Sequence, residues 1–321
     1  MKALIFQEKG QPLQYKDFEL PEAGEAEVLV QLKTAALNHR DVYVTQGQYP
    51  GVRTPIILGS DGAGIHDGRE VVIQPGTGWG DHPAFAAKTY TILGLPRNGT
   101  FAEWVVVGAH QLYDKPAHLS WEQAAALPLA GLTAYRALFT KGALQPGQRV
   151  LITGIGGGVA LMGLQFAVAA GAEVWVTSSS AEKIARAISL GASGGANYSA
   201  SDWSGQLSGQ AGNFDLIMDS AGGAVFTNLV KLAGYGGRIV VYGGTLGAAT
   251  FSPQILFWRQ IAILGTSMGT DTEFSDMLSF VIQHKIAPIV DAVYPLSAGN
   301  AAFARMEQGI QFGKIVFQIN T

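Results

Sequence analysis

The sequence predicts an α/β protein that combines a partly open antiparallel β unit with a doubly wound parallel sheet. Three observations support this fold class. Residues 1–110 contain short alternating or apolar runs separated by turn formers, which is typical of antiparallel strands. From Arg149 onward strand and helix patterns alternate, which is typical of parallel strands covered by helices. The tail reverts to short strands, so we expect the parallel unit to interrupt the β unit.

Composition restricts the possible function classes. The chain has 321 residues, of which 48% are hydrophobic and 14% charged, and its formal net charge is −3. This content allows a large core, and the lack of a basic tract argues against nucleic acid or an anionic membrane as a partner. The chain contains no cysteine, which excludes disulfides and zinc sites built on thiolates.

No targeting segment is expected. The amino-terminal apolar run is too short for a secretory signal. The longest apolar stretch, residues 159–172, is interrupted by Gln165 and ends before it could cross a bilayer. We therefore expect a soluble cytoplasmic protein that acts on a small molecule, without a nucleic acid or membrane partner.

Strand patterns fill the first third of the chain. Val28, Val30 and Leu32 alternate with polar neighbours, and Val71–Ile73 and Trp104–Val107 are short apolar runs. Glycine and proline clusters separate these strands at residues 49–51, 74–80 and 95–100.

Helix and strand signals alternate after residue 119. Ser120 is a good N-cap for a helix, and a second helix is expected after Pro128. A further helix is expected at 181–190, and apolar strands are expected at 150–153, 173–177, 214–222, 236–244 and 261–267. The tail adds strands at 289–296 and 313–319, with a helix at 297–308 between them.

A glycine turn follows the strand at 150–153. Glycine permits backbone angles that a Cβ forbids, and the helix after the turn directs free N–H groups toward an anion. The best match to a dinucleotide-binding pattern has Gly154 and Gly157, with Ala160 at the helix-packing position. We expect Gly154, Gly157, Gly158 and Val159 to contact a diphosphate. The alternative is a purely structural turn.

The end of the second parallel strand indicates which dinucleotide binds. NAD-binding folds place an acidic residue there to accept hydrogen bonds from the ribose 2′-hydroxyl. This chain has Ser178, Ser179 and Ser180 instead, with Lys183 one turn into the next helix. Hydroxyls and an ammonium suit a 2′-phosphate, so we predict NADP(H). The alternative is a serine-rich helix cap beside a solvated lysine.

Several motifs make the chain resemble a known superfamily. They are ALNHRDVYVTQGQYP (36–50), PIILGSDGAGI (55–65), NGTFAEWVVV (98–107), LPLAGLTAYRAL (127–138), the glycine turn and GKIVF (313–317). In this order they resemble the medium-chain dehydrogenase/reductase superfamily over nearly the whole chain. The resemblance implies a GroES-like domain of residues 1–122 and 269–321, and a Rossmann NADP(H)-binding domain of residues 123–268.

The metal ligands of that superfamily's zinc enzymes are not matched. The resemblance places Asn38, Ser60 and a residue near Leu129–Ala130 where those enzymes hold catalytic zinc. The lobe that carries four zinc-binding cysteines in those enzymes corresponds to residues 75–99, which have none. A different metal site can be drawn from His39, His66, His82, Asp61 and Asp81, although scattered surface histidines explain these residues better.

The match is closest to the zinc-free, quinone oxidoreductase-like branch. Asn38, Asp41, Tyr43, Gly47 and Tyr49 follow that branch's N-x-x-D-x-Y-x-x-x-G-x-Y pattern. The retained lobe at 75–99 is less typical of the branch.

The resemblance also implies further cofactor contacts and a homodimer. The implied dimer forms through the strand near residues 261–265. Lys314 is expected either at the diphosphate or as an exposed terminal lysine. The other implied cofactor contacts are Thr133, Tyr198, Ala221, Gly243, Thr245 and Thr266.

These observations predict an NADPH-dependent, zinc-independent oxidoreductase that transfers hydride to a quinone or an activated alkene or carbonyl. The candidate catalytic residues are Asn38, Tyr43, Tyr49 and Ser60, as donors to developing negative charge. Asp61 is expected to orient Arg40 or His39, or to accept from a backbone N–H. The alternatives are an alcohol dehydrogenase-like enzyme and a non-catalytic, crystallin-like NADPH-binding protein.

Overall fold

The computed structural model describes residues 1–49 and 51–319 and contains two compact units. Unit 1 comprises Met1–Ala130 and Gly269–Thr321, and unit 2 comprises Gly131–Met268. Within the described residues, no helix has both the length and the apolar character needed to cross a bilayer.

The chain up to Tyr135 is mostly β structure. Its strands are β1 (Lys2–Phe6), β2 (Gln14–Asp17), β3 (Glu27–Ala36), β4 (Ile56–Ile57), β5 (Asp61–His66), β6 (Arg69–Ile73), β7 (Gly76–Thr77), β8 (Thr91–Ile92), β9 (Trp104–Gly108) and β10 (Leu112–Asp114). Its helices are α1 (His39–Thr45), α2 (Trp121–Ala126) and α3 (Pro128–Tyr135), with a 3₁₀ turn at Ala109–Gln111.

Strands and helices then alternate through unit 2, after a π-helical segment at Arg136–Lys141. The elements are β11 (Arg149–Ile152), α4 (Gly158–Ala169), β12 (Glu173–Ser178), α5 (Ala181–Ser189), β13 (Gly194–Asn197), α6 (Trp203–Ala211), β14 (Phe214–Asp219), α7 (Phe226–Leu232), β15 (Ala233–Val241), α8 (Pro253–Arg259) and β16 (Ala262–Gly265).

The chain returns to unit 1 for its last elements. These are α9 (Asp271–His284), β17 (Val290–Pro295), a 3₁₀ turn at Leu296–Ala298, α10 (Gly299–Glu307) and β18 (Lys314–Gln318).

Unit 1 is built around two antiparallel sheets. One has the order β2-β1-β4, and the larger has the order β10-β6-β5-β3-β18-β17, with β9 also paired to β3. The exception to antiparallel pairing is β17 with β18, which run parallel. In the core, the rings of Phe101 and Phe317 meet edge to face with centroids 4.8 Å apart, and both side chains are fully buried.

Unit 2 contains one parallel sheet of order β13-β12-β11-β14-β15-β16. Its central strands are apolar along their length because helices cover both faces of such a sheet. Leu151, Ile217 and Ile239 lie on three adjacent strands and are inaccessible to solvent. This sheet confirms the predicted doubly wound α/β class, and the strand order brings the ends of β11, β12, β14 and β15 to one edge.

The helix signals are confirmed with small shifts. The hydroxyl of Ser120 accepts a hydrogen bond from the Gln123 N–H at 3.3 Å, so it caps α2 as predicted. The helix expected at 297–308 begins at Gly299, because the preceding residues form a 3₁₀ turn.

Candidate active site

Asn38 is held at the amino terminus of α1. Its backbone is extended, with φ −124° and ψ 153°, and its N–H donates to Oδ2 of Asp41 at 2.9 Å. The Asp41 N–H in turn donates to the Asn38 carbonyl at 2.9 Å. These bonds explain the aspartate three residues after Asn38 and fix the backbone from which the Asn38 side chain projects, but both use the Asn38 backbone and do not themselves require an asparagine.

A buried ion pair lies against the Asn38 side chain. Nζ of Lys314 is 2.9 Å from Oδ2 of Asp61 and donates to Oδ1 of Asn38 at 2.6 Å. The Asn38 amide donates to the same Asp61 oxygen at 2.9 Å. The other oxygen, Oδ1, accepts from the Leu129 N–H at 2.8 Å. Asp61 and Lys314 meet because β5 and β18 flank β3, where Ala36 pairs with Asp61 on one side and with Val316 on the other.

These contacts change two expectations. Asp61 does accept from a backbone N–H, but its charged partner is Lys314 rather than Arg40 or His39. Lys314 is only 4% exposed and its ammonium already binds Asn38 and Asp61, which disfavours the expected contact with a diphosphate. It is also not the exposed terminal lysine that was the alternative.

Ser60 is buried and its hydroxyl is fully used. It accepts from Nη1 of Arg40 at 2.6 Å and donates to the Leu93 carbonyl at 3.0 Å. The same Arg40 nitrogen donates to the Leu93 carbonyl at 2.7 Å. A hydroxyl has one proton to donate, so Ser60 has none left for a substrate oxygen. The structure therefore disfavours Ser60 as a catalytic donor and makes it an anchor for Arg40.

Asp41 is the strongly perturbed acid of this region. Burial raises the pKa of its carboxyl from 3.8 to about 6, against the lowering effects of nearby Arg40, the Asn38 N–H and Lys314. The carboxyl also accepts from the Gly59 N–H at 3.3 Å. Since both of its oxygens cap backbone groups, Asp41 supports the site rather than facing a substrate.

Two tyrosines lie on and just after α1. Tyr43 is half-buried, and the pKa of its phenol is raised, chiefly by burial and to a lesser extent by nearby Tyr49. Tyr49 is 38% exposed, and the guanidinium of Arg40 lies 5.5 Å from its ring centroid. Both phenols remain candidate donors.

The glycine turn of unit 2 has the geometry of an anion site. Gly154 and Gly156 have φ of 65° and 118°, which side chains rarely adopt, so these two glycines permit the turn. Gly157 has an ordinary φ of −73° and is the N-cap of α4, without a side-chain cap. The first-turn N–H groups of Gly158 and Val159 are thus not capped by a side chain, and both residues are partly exposed.

Three observations in unit 2 fit a bound dinucleotide. A Cβ added to Gly157 would approach only the Gly154 carbonyl oxygen, at 3.8 Å, so there is open space beside the helix terminus. Oγ1 of Thr266, just after β16, is buried and has no hydrogen-bond partner among the described residues, as expected of a group that a ligand completes. Ala160 is 2% exposed and packs into the unit, as the pattern predicted.

The serine cluster divides into buried and exposed members. Ser178 is 3% exposed and its hydroxyl accepts from the Ser180 N–H at 3.2 Å. The Ser180 hydroxyl accepts from the Lys183 N–H at 3.3 Å and so caps α5, which was the alternative interpretation for part of the cluster. Ser179 is exposed, and Tyr198, 40% exposed, follows the neighbouring strand, where its N–H donates to the Ser178 carbonyl at 3.1 Å.

The loops after β14 and β15 are hydrogen-bonded to each other. The Thr245 N–H donates to the Ser220 carbonyl at 3.3 Å, and the Leu246 N–H donates to that of Ala221 at 2.8 Å. A Cβ on Gly243 would lie 2.8 Å from the Ser220 carbonyl oxygen, so glycine is required there for packing. Thr133, in α3, is buried with 5% exposure.

Sequence reasoning missed the support for these loops. Asp219 is inaccessible, accepts from the Thr153 hydroxyl at 2.6 Å and accepts from the Gly222 N–H at 2.9 Å. The available signal was a carboxylate at the end of the apolar run FDLIMD, where a buried charge needs partners. Gly156 was also missed, because letters alone do not show which glycine has a positive φ.

The donor sets do not suit a zinc ion. Oδ1 of Asn38 already binds an ammonium and Ser60 is committed to Arg40 and Leu93. Among residues 1–49 and 51–319, no group of three or more His, Asp or Glu side chains can hold a metal. In the lobe at 75–99, aromatic contacts are found instead: Trp79 meets Tyr90 edge to face at 5.1 Å, and His82 stacks on Phe85 at 4.2 Å.

Two family models match the chain. Residues 24–117 match the alcohol dehydrogenase GroES-like domain, and residues 158–283 match the zinc-binding dehydrogenase family. The zinc-type alcohol dehydrogenase-like protein YogA of Leptosphaeria maculans is 35% identical over 96% of this chain and 95% of its own.

Two solved structures extend the comparison. A crystal structure described as an NAD-dependent alcohol dehydrogenase is 36% identical, with a TM-score of 0.94 over all of both chains. The quinone oxidoreductase of Thermus thermophilus, also solved with NADPH, is 29% identical, with a TM-score of 0.85 over 99% of this chain and 100% of its own.

The fold, the glycine turn and the similarity to these proteins together define an oxidoreductase of the dehydrogenase/reductase type. The chain belongs to the medium-chain dehydrogenase/reductase superfamily, with a GroES-like domain and a Rossmann-like domain.

Proposed function

We propose that this protein is an NADPH-dependent, zinc-independent reductase of quinones or activated alkenes. The observation that carries the proposal is the Asn38–Asp61–Lys314 network. In this network the Lys314 ammonium donates hydrogen bonds to Asp61 and to Asn38, the residue expected at a metal-ligand position. Such a site provides hydrogen-bond donors and no Lewis acid, so its substrate must already be electrophilic. Quinones and enones meet this condition, whereas simple alcohols and ketones do not.

The chemistry follows from charge. A bound reduced nicotinamide supplies hydride. When a carbon of the substrate gains that hydride, the displaced electron pair moves onto the conjugated oxygen, which a solvent proton later neutralises. The Asn38 amide and the phenols of Tyr43 and Tyr49 are the donors proposed to stabilise this oxygen, and one such donor is worth about 3–4 kcal/mol. Gly154, Gly157, Gly158 and Val159 hold the diphosphate in this proposal.

The proposed preference for NADPH depends on the end of β12. No carboxylate stands at residues 178–180, and exposed Ser179 and Tyr198 lie near the first turn of α5, which carries Lys183. Hydroxyls and an ammonium favour a 2′-phosphate over a bare 2′-hydroxyl. The two similar structures are described with different cofactors, one as NAD-dependent and one with NADPH, so measurement on this protein decides.

A homodimer through β16 completes the proposal. β16 is an edge strand of the unit 2 sheet, so one side of its backbone is unpaired within the described chain. The helix before β16, α8, has no buried residue and carries exposed Phe257 and Trp258, and exposed Tyr235 lies against Arg259 at the end of α8; their exposures are 60%, 73% and 85%. A second copy pairing along β16 would cover these aromatic rings.

Turnover measurements test the function. We expect NADPH oxidation with quinones and enones, slower NADH oxidation, and no stimulation by zinc. Alcohol oxidation that zinc stimulates would favour an alcohol dehydrogenase-like enzyme instead. Tight NADPH binding without turnover on any quinone, enone or aldehyde would favour a non-catalytic, crystallin-like role.

A further inference from the structure

The chemistry of its two charged partners fixes the orientation of the Asn38 amide. Lys314 can only donate hydrogen bonds, and an ionised Asp61 can only accept them. The amide oxygen must therefore face Lys314, at 2.6 Å, and the amide nitrogen must face Asp61, at 2.9 Å. A flipped amide would place its N–H against the ammonium and its oxygen against the carboxylate, and both contacts would be repulsive.

This orientation leaves one donor over. The Asn38 amide has two N–H groups, and Asp61 accepts one of them. Within residues 1–49 and 51–319, the second N–H has no partner. Asn38 as a residue is only 6% exposed, so bulk water has little access to it. Ser60, next to Asp61 in sequence, has no proton to offer, so it does not compete with this N–H as a donor.

We propose that Lys314 and Asp61 are positioning residues that lock the Asn38 amide so that its second N–H stabilises the oxygen that becomes negative during hydride transfer. This inference rests on the proposed reductase function. The ammonium also strengthens the donor, because a hydrogen bond to an amide oxygen polarises the N–H groups of the same amide. The pair carries no net charge, so this polarisation adds no unpaired charge to the site.

Three variants test the inference with NADPH and a cyclic enone. Lys314→Met removes the ammonium and keeps an unbranched chain of similar volume, and we expect kcat to fall about 10- to 100-fold, since losing a donor outright costs about 10²–10³-fold. Lys314→Arg restores a buried cation and should recover most of kcat. Lys2→Met removes an exposed lysine paired with Asp17 and should leave kcat unchanged. NADPH affinity, measured by fluorescence, should be the same in all three.

A double-mutant cycle separates positioning from general structural damage. If Lys314 acts through Asn38, adding Lys314→Met to Asn38→Ala should lower kcat less than about twofold further. Losses that multiply, or a wild-type kcat in Lys314→Met, would overturn the inference.

A second readout needs no turnover. The side-chain amide signal of Asn38 in a ¹H–¹⁵N spectrum, identified by its loss in Asn38→Ala, should exchange faster with water in Lys314→Met and slow again in Lys314→Arg. Unchanged exchange in Lys314→Met would contradict positioning. If the wild-type enzyme reduced no quinone or enone, the proposed function would fail while this measurement still decided how the amide is held.

Discussion

Nζ of Lys314 lies 2.9 Å from Oδ2 of Asp61, and their side chains are 5% and 0% exposed. Two charges buried this deeply stabilise each other. If one is removed, the other remains buried without a partner, which is strongly destabilising. We expect Asp61→Asn to lower the free energy of unfolding by about 3–5 kcal/mol at pH 7, because the ammonium loses its counter-charge.

Urea unfolding of matched variants measures this. The double variant Asp61→Asn with Lys314→Met should recover part of the loss, since no unpaired charge remains. Asp17→Asn breaks the exposed pair of Lys2 and Asp17 and should have little effect on stability, because solvent screens that pair. Equal losses for Asp61→Asn and Asp17→Asn would show that the buried pair is not coupled as the distances indicate.

Asp41 should make stability depend on pH. Burial raises its folded pKa from 3.8 to about 6, so between these values the native protein binds a proton that the unfolded chain lacks. The contribution of this group to stability is therefore present below about pH 4 and is lost as pH rises through about 6. Relative to Asp41→Asn, the wild-type protein should lose about 1 kcal/mol between about pH 5 and pH 7.5.

Unfolding free energies of both proteins at the two pH values provide the check. The Asp41→Asn variant loses one of the two backbone hydrogen bonds that the carboxyl accepts, since an amide nitrogen cannot accept a hydrogen bond. The resulting loss of stability is the same at both pH values, so it does not affect the comparison. A difference between the two proteins that does not change with pH would mean that Asp41 has an ordinary pKa.

Local patterns predicted much of the fold because each depends on neighbours in sequence. The apolar run of β11 and the Ser120 cap are of this kind. The Lys314–Asp61 pair is different, since 253 residues separate its members and only the pairing of β5 and β18 with β3 brings them together. For the same reason the sequence could not show that Lys314 is buried or that Ser60 donates its proton to Leu93.

The serine cluster shows a second limit. Its position at the end of β12 was readable from the sequence, but β12 lies between β11 and β13, which buries Ser178 and leaves Ser179 exposed. Which of three adjacent serines meets a ligand depends on side-chain direction at a strand end, and composition does not encode that direction.

Two glycines of the turn should serve different purposes: Gly156 permits the backbone conformation, and Gly157 leaves space for the diphosphate. Gly156 has φ 118°, so Gly156→Ala strains the backbone and should cost about 1–3 kcal/mol of stability. Gly157 has an ordinary φ and room for a Cβ, so Gly157→Ala should leave the unfolding midpoint nearly unchanged. Its methyl group would occupy the space proposed for the diphosphate, and we expect NADPH affinity to fall about tenfold or more, about 1.4 kcal/mol.

Thermal unfolding and fluorescence titration with NADPH distinguish the two variants. If Gly157→Ala bound NADPH as tightly as the wild type, the diphosphate would not lie at this helix terminus.

A carboxylate at the serine cluster should change cofactor preference. Ser179→Asp adds a negative charge at an exposed position, so NADPH affinity should fall about tenfold while NADH affinity changes little. Ser178→Asp should also shift preference toward NADH, but its burial adds a loss of stability. Ser208→Asp, on the exposed surface of α6, is the matched control. A wild-type protein that already prefers NADH would defeat this argument.

The proposed dimer should depend on Trp258. This side chain is 73% exposed and lies 5.5 Å from the ring of Phe257, so Trp258→Glu removes no core packing. Tryptophans at the centre of interfaces often contribute about 2 kcal/mol or more to binding, so the substitution should raise the dimer dissociation constant about 30-fold.

Light scattering over a concentration series should show a wild-type dimer and a larger monomer fraction for Trp258→Glu. The control Leu20→Glu, at an exposed leucine of unit 1, should behave as wild type. A wild-type monomer, or a dimer that Trp258→Glu does not weaken, would show that β16 does not form the interface.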